Sequence, residues 1–160
     1  MEKYYHTAMR TLLCPAAGVV FPARELENAE GGKHFGEGLA VGAGVLAGLY
    51  YRLVPAAEIL SPADGAVTAA ESDRFRLRTG DGLELLITLS GEAEYYIAAG
   101  ALASAGQPVC RISREEFSRG RAGVVVTFCD SGRITELHVH SGLRLAGKPA
   151  AEYRVRENDN

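Results

Sequence analysis

The sequence predicts an all-β fold, an antiparallel β-sandwich or barrel with only short helices, and three observations carry that expectation. Apolar and charged residues alternate in Phe75-Arg76-Leu77-Arg78 and in Glu152-Tyr153-Arg154-Val155-Arg156, the period of two that a half-buried strand requires. Glycine is abundant, with 19 residues, and glycine- or proline-containing turn signals separate the strand-like runs, as in antiparallel architectures. The chain also echoes itself. Pro15-Ala16-Ala17-Gly18-Val19-Val20 returns as Pro62-Ala63-Asp64-Gly65-Ala66-Val67, and Ala105-Gly106-Gln107-Pro108 returns as Ala146-Gly147-Lys148-Pro149. Each echo comes at a separation in the forties, within the range of structural repeats. Two related halves, each with a P-x-x-G-x-V hairpin and a later A-G-x-P turn, account for both.

The individual elements follow in order. Residues 43–51 are uninterrupted by charge and suit a short helix. Thr79-Gly80-Asp81-Gly82 joins the strand at residues 75–78 to Leu83-Glu84-Leu85-Leu86-Ile87-Thr88-Leu89, and its Asp-Gly step is a hairpin signal. Residues 114–119 form a second short helix, with Ser113 placed to cap the first turn and Glu116 three residues on. Residues 123–128 are a β-branched run fit for a buried strand, and the polar residues 157–160 read as a frayed end.

At 160 residues and 17.0 kDa, with 47% hydrophobic residues, the chain has the size of one domain and the apolar content for a core without metal or disulfide staples. A net charge of -3 and a pI near 5.8 provide no basic stripe for nucleic acid. Cys14, Cys110 and Cys129 are odd in number and lack CxxC spacing, so free thiols in a reducing compartment are expected. Met1-Glu2-Lys3-Tyr4-Tyr5-His6 has no apolar signal core, and the run at 39–51 is too short for a bilayer. A cytoplasmic protein is the expectation.

Five motifs in order resemble the glucose-type IIA component of the bacterial sugar phosphotransferase system. Cys14-Pro15-Ala16-Ala17-Gly18 resembles the family's A-P-x-x-G opening strand, and Lys33-His34-Phe35-Gly36-Glu37-Gly38-Leu39-Ala40-Val41 its K-x-x-G-D/E-G-x-A-I segment. Ser61-Pro62-Ala63-Asp64-Gly65-Ala66-Val67 resembles A-P-V-D-G-x-V, Leu83-Glu84-Leu85-Leu86-Ile87 resembles V-E-L-L-I, and Ala105-Gly106-Gln107-Pro108-Val109 the late G-x-P turn. The resemblance covers roughly residues 12–156, leaving 1–11 and 157–160 as terminal extensions. It implies a β-sandwich of duplicated hybrid motifs and a role in sugar transport. The segment between Val41 and Ile59 is longer than in the family, and the stretch after Glu92 is shorter.

The resemblance also locates a loss. In the family a histidine ending the V-E-L-L-I strand carries the phosphate; here Ile87-Thr88-Leu89-Ser90 puts Thr88 in its place. A second, supporting histidine is replaced by Asp73 within Glu71-Ser72-Asp73-Arg74-Phe75. Phosphate relay needs an imidazole that attacks phosphorus and leaves again. A threonine hydroxyl is a weak nucleophile without an adjacent base, and its ester is a poor donor. Asp73 would repel an incoming phosphate. A degenerate site with no catalytic residue, no metal and no cofactor is therefore expected.

Four histidines remain. His34 borders the family's active face, either as a transplanted phosphoacceptor or as an exposed substitution beside a defunct site. His138 and His140 flank Val139 on a predicted strand and share one side of it. Two such nitrogens make an incomplete metal site, and no H-x-x-x-D motif accompanies them, so solvent-facing histidines over an inward Leu137 and Val139 are expected. Ser90, Ser131 and Ser141 lack a base, the glycines near Gly36 and Gly38 lack a Lys-Ser/Thr signature, and Cys129, ending a Val-rich strand, is expected buried and inert.

Two functions compete at this stage. The preferred one is a phosphotransfer-incompetent module that binds a protein (a phosphocarrier or permease in the family) or regulates it. Phe75, Leu89, Phe35 and Leu26 would then form a remnant apolar patch. The alternative is an active phosphocarrier using another histidine such as His34, close to Asp73, Thr88 and a cation such as Arg74 or Arg76. A metabolite-sensing pocket with Asp73, Glu92 and Thr88 as polar contacts is a third reading.

Overall fold

Fourteen β-strands and two short α-helices make up residues 8–26 and 36–156, the parts of the chain that the computed structural model describes. Eight strands form one large sheet. They are β2 (Gly18–Pro22), β3 (Gly38–Gly42), β5 (Gly65–Glu71), β6 (Arg74–Thr79), β7 (Glu84–Leu89), β9 (Leu102–Ala103), β11 (Val124–Phe128) and β13 (Gly142–Arg144). Their order is β13-β2-β3-β11-β7-β6-β5-β9, with every pairing antiparallel. A three-stranded sheet joins β1 (Arg10–Leu13), β14 (Pro149–Val155) and β12 (Ile134–Val139); a second joins β4 (Ala56–Leu60), β10 (Pro108–Ser113) and β8 (Glu94–Tyr95). The helices are α1 (Gly44–Tyr51) and α2 (Arg114–Arg119).

Alternation decides which side chains enter the core. On β6, Phe75, Leu77 and Thr79 point inward while Arg74, Arg76 and Arg78 do not; on β7, Leu85, Ile87 and Leu89 point inward. One apolar core runs from these residues through Val124, Val126 and Phe128 of β11 to Leu12, Ile59, Ile112 and Tyr153 of the two small sheets. Its continuity across all three sheets makes the fold a sandwich.

The duplication seen in the sequence is present in the hydrogen bonding. The Cys14 N–H donates to the Lys148 carbonyl (2.7 Å) and the Cys14 carbonyl accepts from Gly147 (2.8 Å). Ser61 does the same with Gln107 and Gly106, at 2.8 Å each. The two halves also cross: Leu13 donates to Pro62 and Leu60 donates to Pro15. Even the side chains correspond, since Cys14 Sγ donates to the Ala16 carbonyl and Ser61 Oγ to that of Ala63. Gly106 and Gly147, at φ 85° and 84°, supply the left-handed step that each A-G-x-P turn requires.

Both expected helices form. At α2 the Ser113 hydroxyl accepts from the Glu116 N–H and donates to the Glu116 carboxylate, the N-cap anticipated from the sequence. Helix α1 occupies the long segment between β3 and β4. Its buried Tyr51 stacks on Phe117 of α2, with ring centroids 4.6 Å apart, and donates to the Ala17 carbonyl at 2.7 Å. The glycines of the 36–38 segment divide their tasks. Gly36 has φ 78°, whereas Gly38 lies inside β3, where a Cβ would stand 1.9 Å from the Val126 carbonyl oxygen. Gly38 thus marks a close strand approach.

Candidate functional site

Asp73, in the turn that leads into β6, and Thr88 on β7 lie side by side. Arg74 is the cross-strand partner of Thr88, and the Asp73 carbonyl accepts from Leu89 at 2.8 Å. Thr88 is half-buried on the outer face of the large sheet, where its other strand neighbour is Val125 of β11. Its hydroxyl has no hydrogen-bond partner among the described residues. The next outward position on β7 is Leu86, opposite Arg76, and Arg78 follows on β6. Three guanidinium groups therefore line one strand in a row.

Their charge is partly compensated. Arg74 Nε donates to Asp73 Oδ1 at 3.1 Å and lies 3.6 Å from Glu71 Oε2. The hydrogen bond from Arg74 holds the Asp73 carboxyl below the usual aspartate range. Tyr95 of β8 fastens this corner, its hydroxyl 2.6 Å from the Glu71 carbonyl and 2.8 Å from that of Arg74. Burial pushes the Tyr95 phenol upward, so it remains a donor at all ordinary pH.

Glu92 is elsewhere. It lines a cleft of about 610 Å³ with Glu94, Arg111 and Glu116, and neither Asp73 nor Thr88 contributes to that wall. The cleft that holds Glu92 does not extend to Asp73 or Thr88.

The remnant apolar patch is corrected as well. Phe75 is fully buried, Leu89 is 5% exposed and Leu26 2% exposed. The reason is the pleat: Phe75 and Leu89 sit on the inward rows of β6 and β7. Leu26 instead closes over the outer face, packing with Ala23, Ala40 and Val125 in a small second cluster bordered by Phe21 and Ala122. Arg121 lies over the Phe21 ring, 5.2 Å from its centroid, and donates to the Glu25 carbonyl. His34 and Phe35 lie outside the described residues.

The remaining candidates fall on other surfaces. His138 and His140 sit on and just past β12, in a different sheet from Thr88. His140 Nε2 contacts the Glu152 carboxylate, and His138 Nε2 is 3.6 Å from Glu136, which also accepts from Arg154 at 2.8 Å. Leu137 and Val139 are only half-buried. Among the described residues no group of three or more His, Cys, Asp or Glu side chains is placed to hold a metal ion. Ser90 donates to the Glu116 carbonyl. Cys129 is exposed, contrary to expectation. The Val-rich strand ends at Phe128, which points inward; Cys129 follows it outward, beyond the cover provided by Ala23 and Leu26. Arg76 donates to its sulfur at 3.3 Å. Sequence reasoning passed over Arg78 and Tyr95. The period-two pattern of β6 was the signal for Arg78, and nothing local marked Tyr95.

No family model matches the chain, and no curated protein matches it in sequence. Solved structures do. The glucose permease IIA from Mycoplasma capricolum superimposes with a TM-score of 0.70 over 94% of this chain and 99% of that one, at 16% sequence identity. The chain therefore shares the IIA fold.

Proposed function

We propose that the chain is a IIA-like module of the sugar phosphotransferase type that binds a protein partner and does not itself carry phosphate. Residues 12–156 form its working domain, acting in the cytoplasm. The observation that carries this reading is the pairing of Thr88 with Arg74. At the place where the resemblance puts a phosphoacceptor stands a hydroxyl that no base among the described residues hydrogen-bonds. The guanidinium directly across from it, Arg74, is already engaged by Asp73 and Glu71, and their carboxylates repel an incoming phosphoryl group.

Binding on this face uses the strip formed by Leu86, Thr88, Arg76 and Arg78, since Phe75, Leu89 and Leu26 are occupied in packing. Half-buried Leu86 and Thr88 beside guanidinium groups suit a partner that presents a small hydrophobic contact rimmed by carboxylates. Such a partner is of the phosphocarrier or permease kind that the resemblance implies.

The test is a relay with radiolabelled phosphoenolpyruvate, the first enzyme of the system and its histidine phosphocarrier. A working IIA domain serves as the positive control. The expected result is no label on this chain, together with binding to the phosphocarrier that weakens in the Arg76→Glu/Arg78→Glu variant. A label lost in acid and stable in alkali would show phosphohistidine, overturn the reading and direct attention to His34.

A further inference from the structure

Helix α1 presents its apolar side chains to solvent. Its sequence, Gly44-Val45-Leu46-Ala47-Gly48-Leu49-Tyr50-Tyr51, contains no charged residue, and only Ala47 and Tyr51 are buried. Val45 is 84% exposed, Leu46 65%, Leu49 53%, Tyr50 49% and, just past the helix, Leu53 84%. A helix apolar on every side normally has cover on every side. The surface continues onto the large sheet. A Cβ at Gly44 would meet the Val19 side chain at 2.7 Å, and the cross-strand partner of Val19 is Leu143 of β13, itself 50% exposed. Strand β13 pairs on one side only, so this apolar strip ends on an open sheet edge.

We propose that α1 is the self-association surface of the protein, buried against α1 of a second copy about a two-fold axis. Size is the first argument. Val45, Leu46, Leu49, Tyr50, Leu53 and Leu143 together offer on the order of 700 Å² at roughly 200 Å² for a fully exposed large side chain. That is close to the about 800 Å² per partner of a standard interface, and above the patches that solitary proteins commonly expose.

Charge is the second argument. A two-fold interface must complement itself. Here the centre is uncharged and the rim carries both signs: Arg52, which makes no ion pair among the described residues, and Glu115, which pairs with Arg114 at 3.2 Å yet keeps its side chain 67% exposed. Arg52 of one copy can meet Glu115 of the other. A membrane surface fits less well, because interfacial helices carry a strongly basic polar face and α1 has none. Shape is the third. Between α1 and α2 lies a cleft of about 530 Å³ lined by Gly48, Leu49, Arg52 and Arg114. Nothing stands within 4 Å of a Cβ position at Gly48, which leaves room for a side chain of the second copy.

The inference is independent of the reading of the Thr88 face. Sedimentation equilibrium of the full chain, from micromolar to near-millimolar concentration, tests it. The expected mass is twice the 17.0 kDa of the chain, returning to the single value in Leu46→Glu. In a Cys129→Ser background, at least one of Val45→Cys, Leu46→Cys and Leu49→Cys is expected to form a disulfide-linked dimer on mild oxidation. A single-chain mass across the whole range overturns the proposal, as does a dimer that survives both Leu46→Glu and Leu49→Glu. A monomer that co-sediments with phosphatidylglycerol vesicles overturns it in favour of a lipid surface.

Discussion

Arg74 on β6 stands directly across from Thr88 on β7, and its guanidinium is held by the carboxylate of the residue before it, Asp73. Thr88 presents a hydroxyl to a guanidinium whose charge a carboxylate already balances. The arrangement is nevertheless ordered, since Tyr95 ties the carbonyls on either side of Asp73 together. Both carbonyls are fixed by that phenol, and the corner is well defined.

Asp73 titrates below the usual aspartate range because Arg74 donates a hydrogen bond to its charged form. The sign follows from linkage. A depressed folded-state value adds stability above the unfolded value, and that contribution is lost as pH falls through the folded one. The pair is largely open to water, so the stability at stake is small. Carboxyl NMR titration of Arg74→Ala is expected to return Asp73 upward to the ordinary value with little change in unfolding midpoint. An Asp73 titration unmoved by the substitution would assign the depression to another group.

Phe75 discriminates between core and surface roles. It is fully buried and meets Tyr95 edge-to-face, with centroids 6.1 Å apart. Phe75→Ala is expected to cost about 3–5 kcal/mol, the range for buried aromatic truncations, measured by denaturant unfolding. A residue in an exposed docking patch would cost almost nothing, so an unchanged midpoint would restore the patch that the packing removes.

Gly38 is needed for a different reason. A Cβ there would stand 1.9 Å from the Val126 carbonyl oxygen and 2.8 Å from Thr127 Cα, both backbone atoms of β11 that cannot rotate away. Gly38→Ala therefore separates β3 from β11 at the centre of the large sheet. The expected loss is at least the roughly 1–3 kcal/mol of an overpacked core, while the same change at Gly48, in open space, is expected to leave stability unharmed.

Most of the fold was legible because its signals were local and repeated. Alternation marked the strand at Phe75–Arg78, the apolar run after the Asp-Gly turn marked its partner, and Ser113 with Glu116 announced the cap of α2. The echo of Pro15–Val20 in Pro62–Val67 predicted two related halves, and the matched hydrogen bonds of Cys14 and Ser61 belong to them. The site was less legible because exposure is a tertiary property. The apolar character of Phe75, Leu89 and Leu26 was plain, but which of them would face solvent depended on the pleat and on the segment that folds over Val125. Glu92 looked close to Thr88 in sequence, yet the chain turns after Ser90 and carries it into another cleft. The burial expected of Cys129 failed for the same reason, since the cover over β11 ends one residue too soon.

The three thiols convert these differences into one experiment. Burial pushes Cys14 up to about 11 and Cys110 up to about 12. Raised folded-state values mean stability that is complete below pH 9, the ordinary thiol value, and lost as pH climbs through the folded ones. Unfolding midpoints are therefore expected to fall steadily above pH 9, and less steeply in Cys14→Ala/Cys110→Ala. Cys129 is exposed, but burial of its sulfur raises its value too, with Arg76 pulling the other way. A disulfide reagent at mildly alkaline pH should therefore modify one thiol per native chain, slowly, and all three in denaturant. Cys129→Ser removes the native reaction, and Arg76→Ala slows it by withdrawing the cation that favours the thiolate. Rapid modification of two or three thiols in the native chain would mean that Cys14 and Cys110 open to solvent, contradicting the sandwich core they occupy.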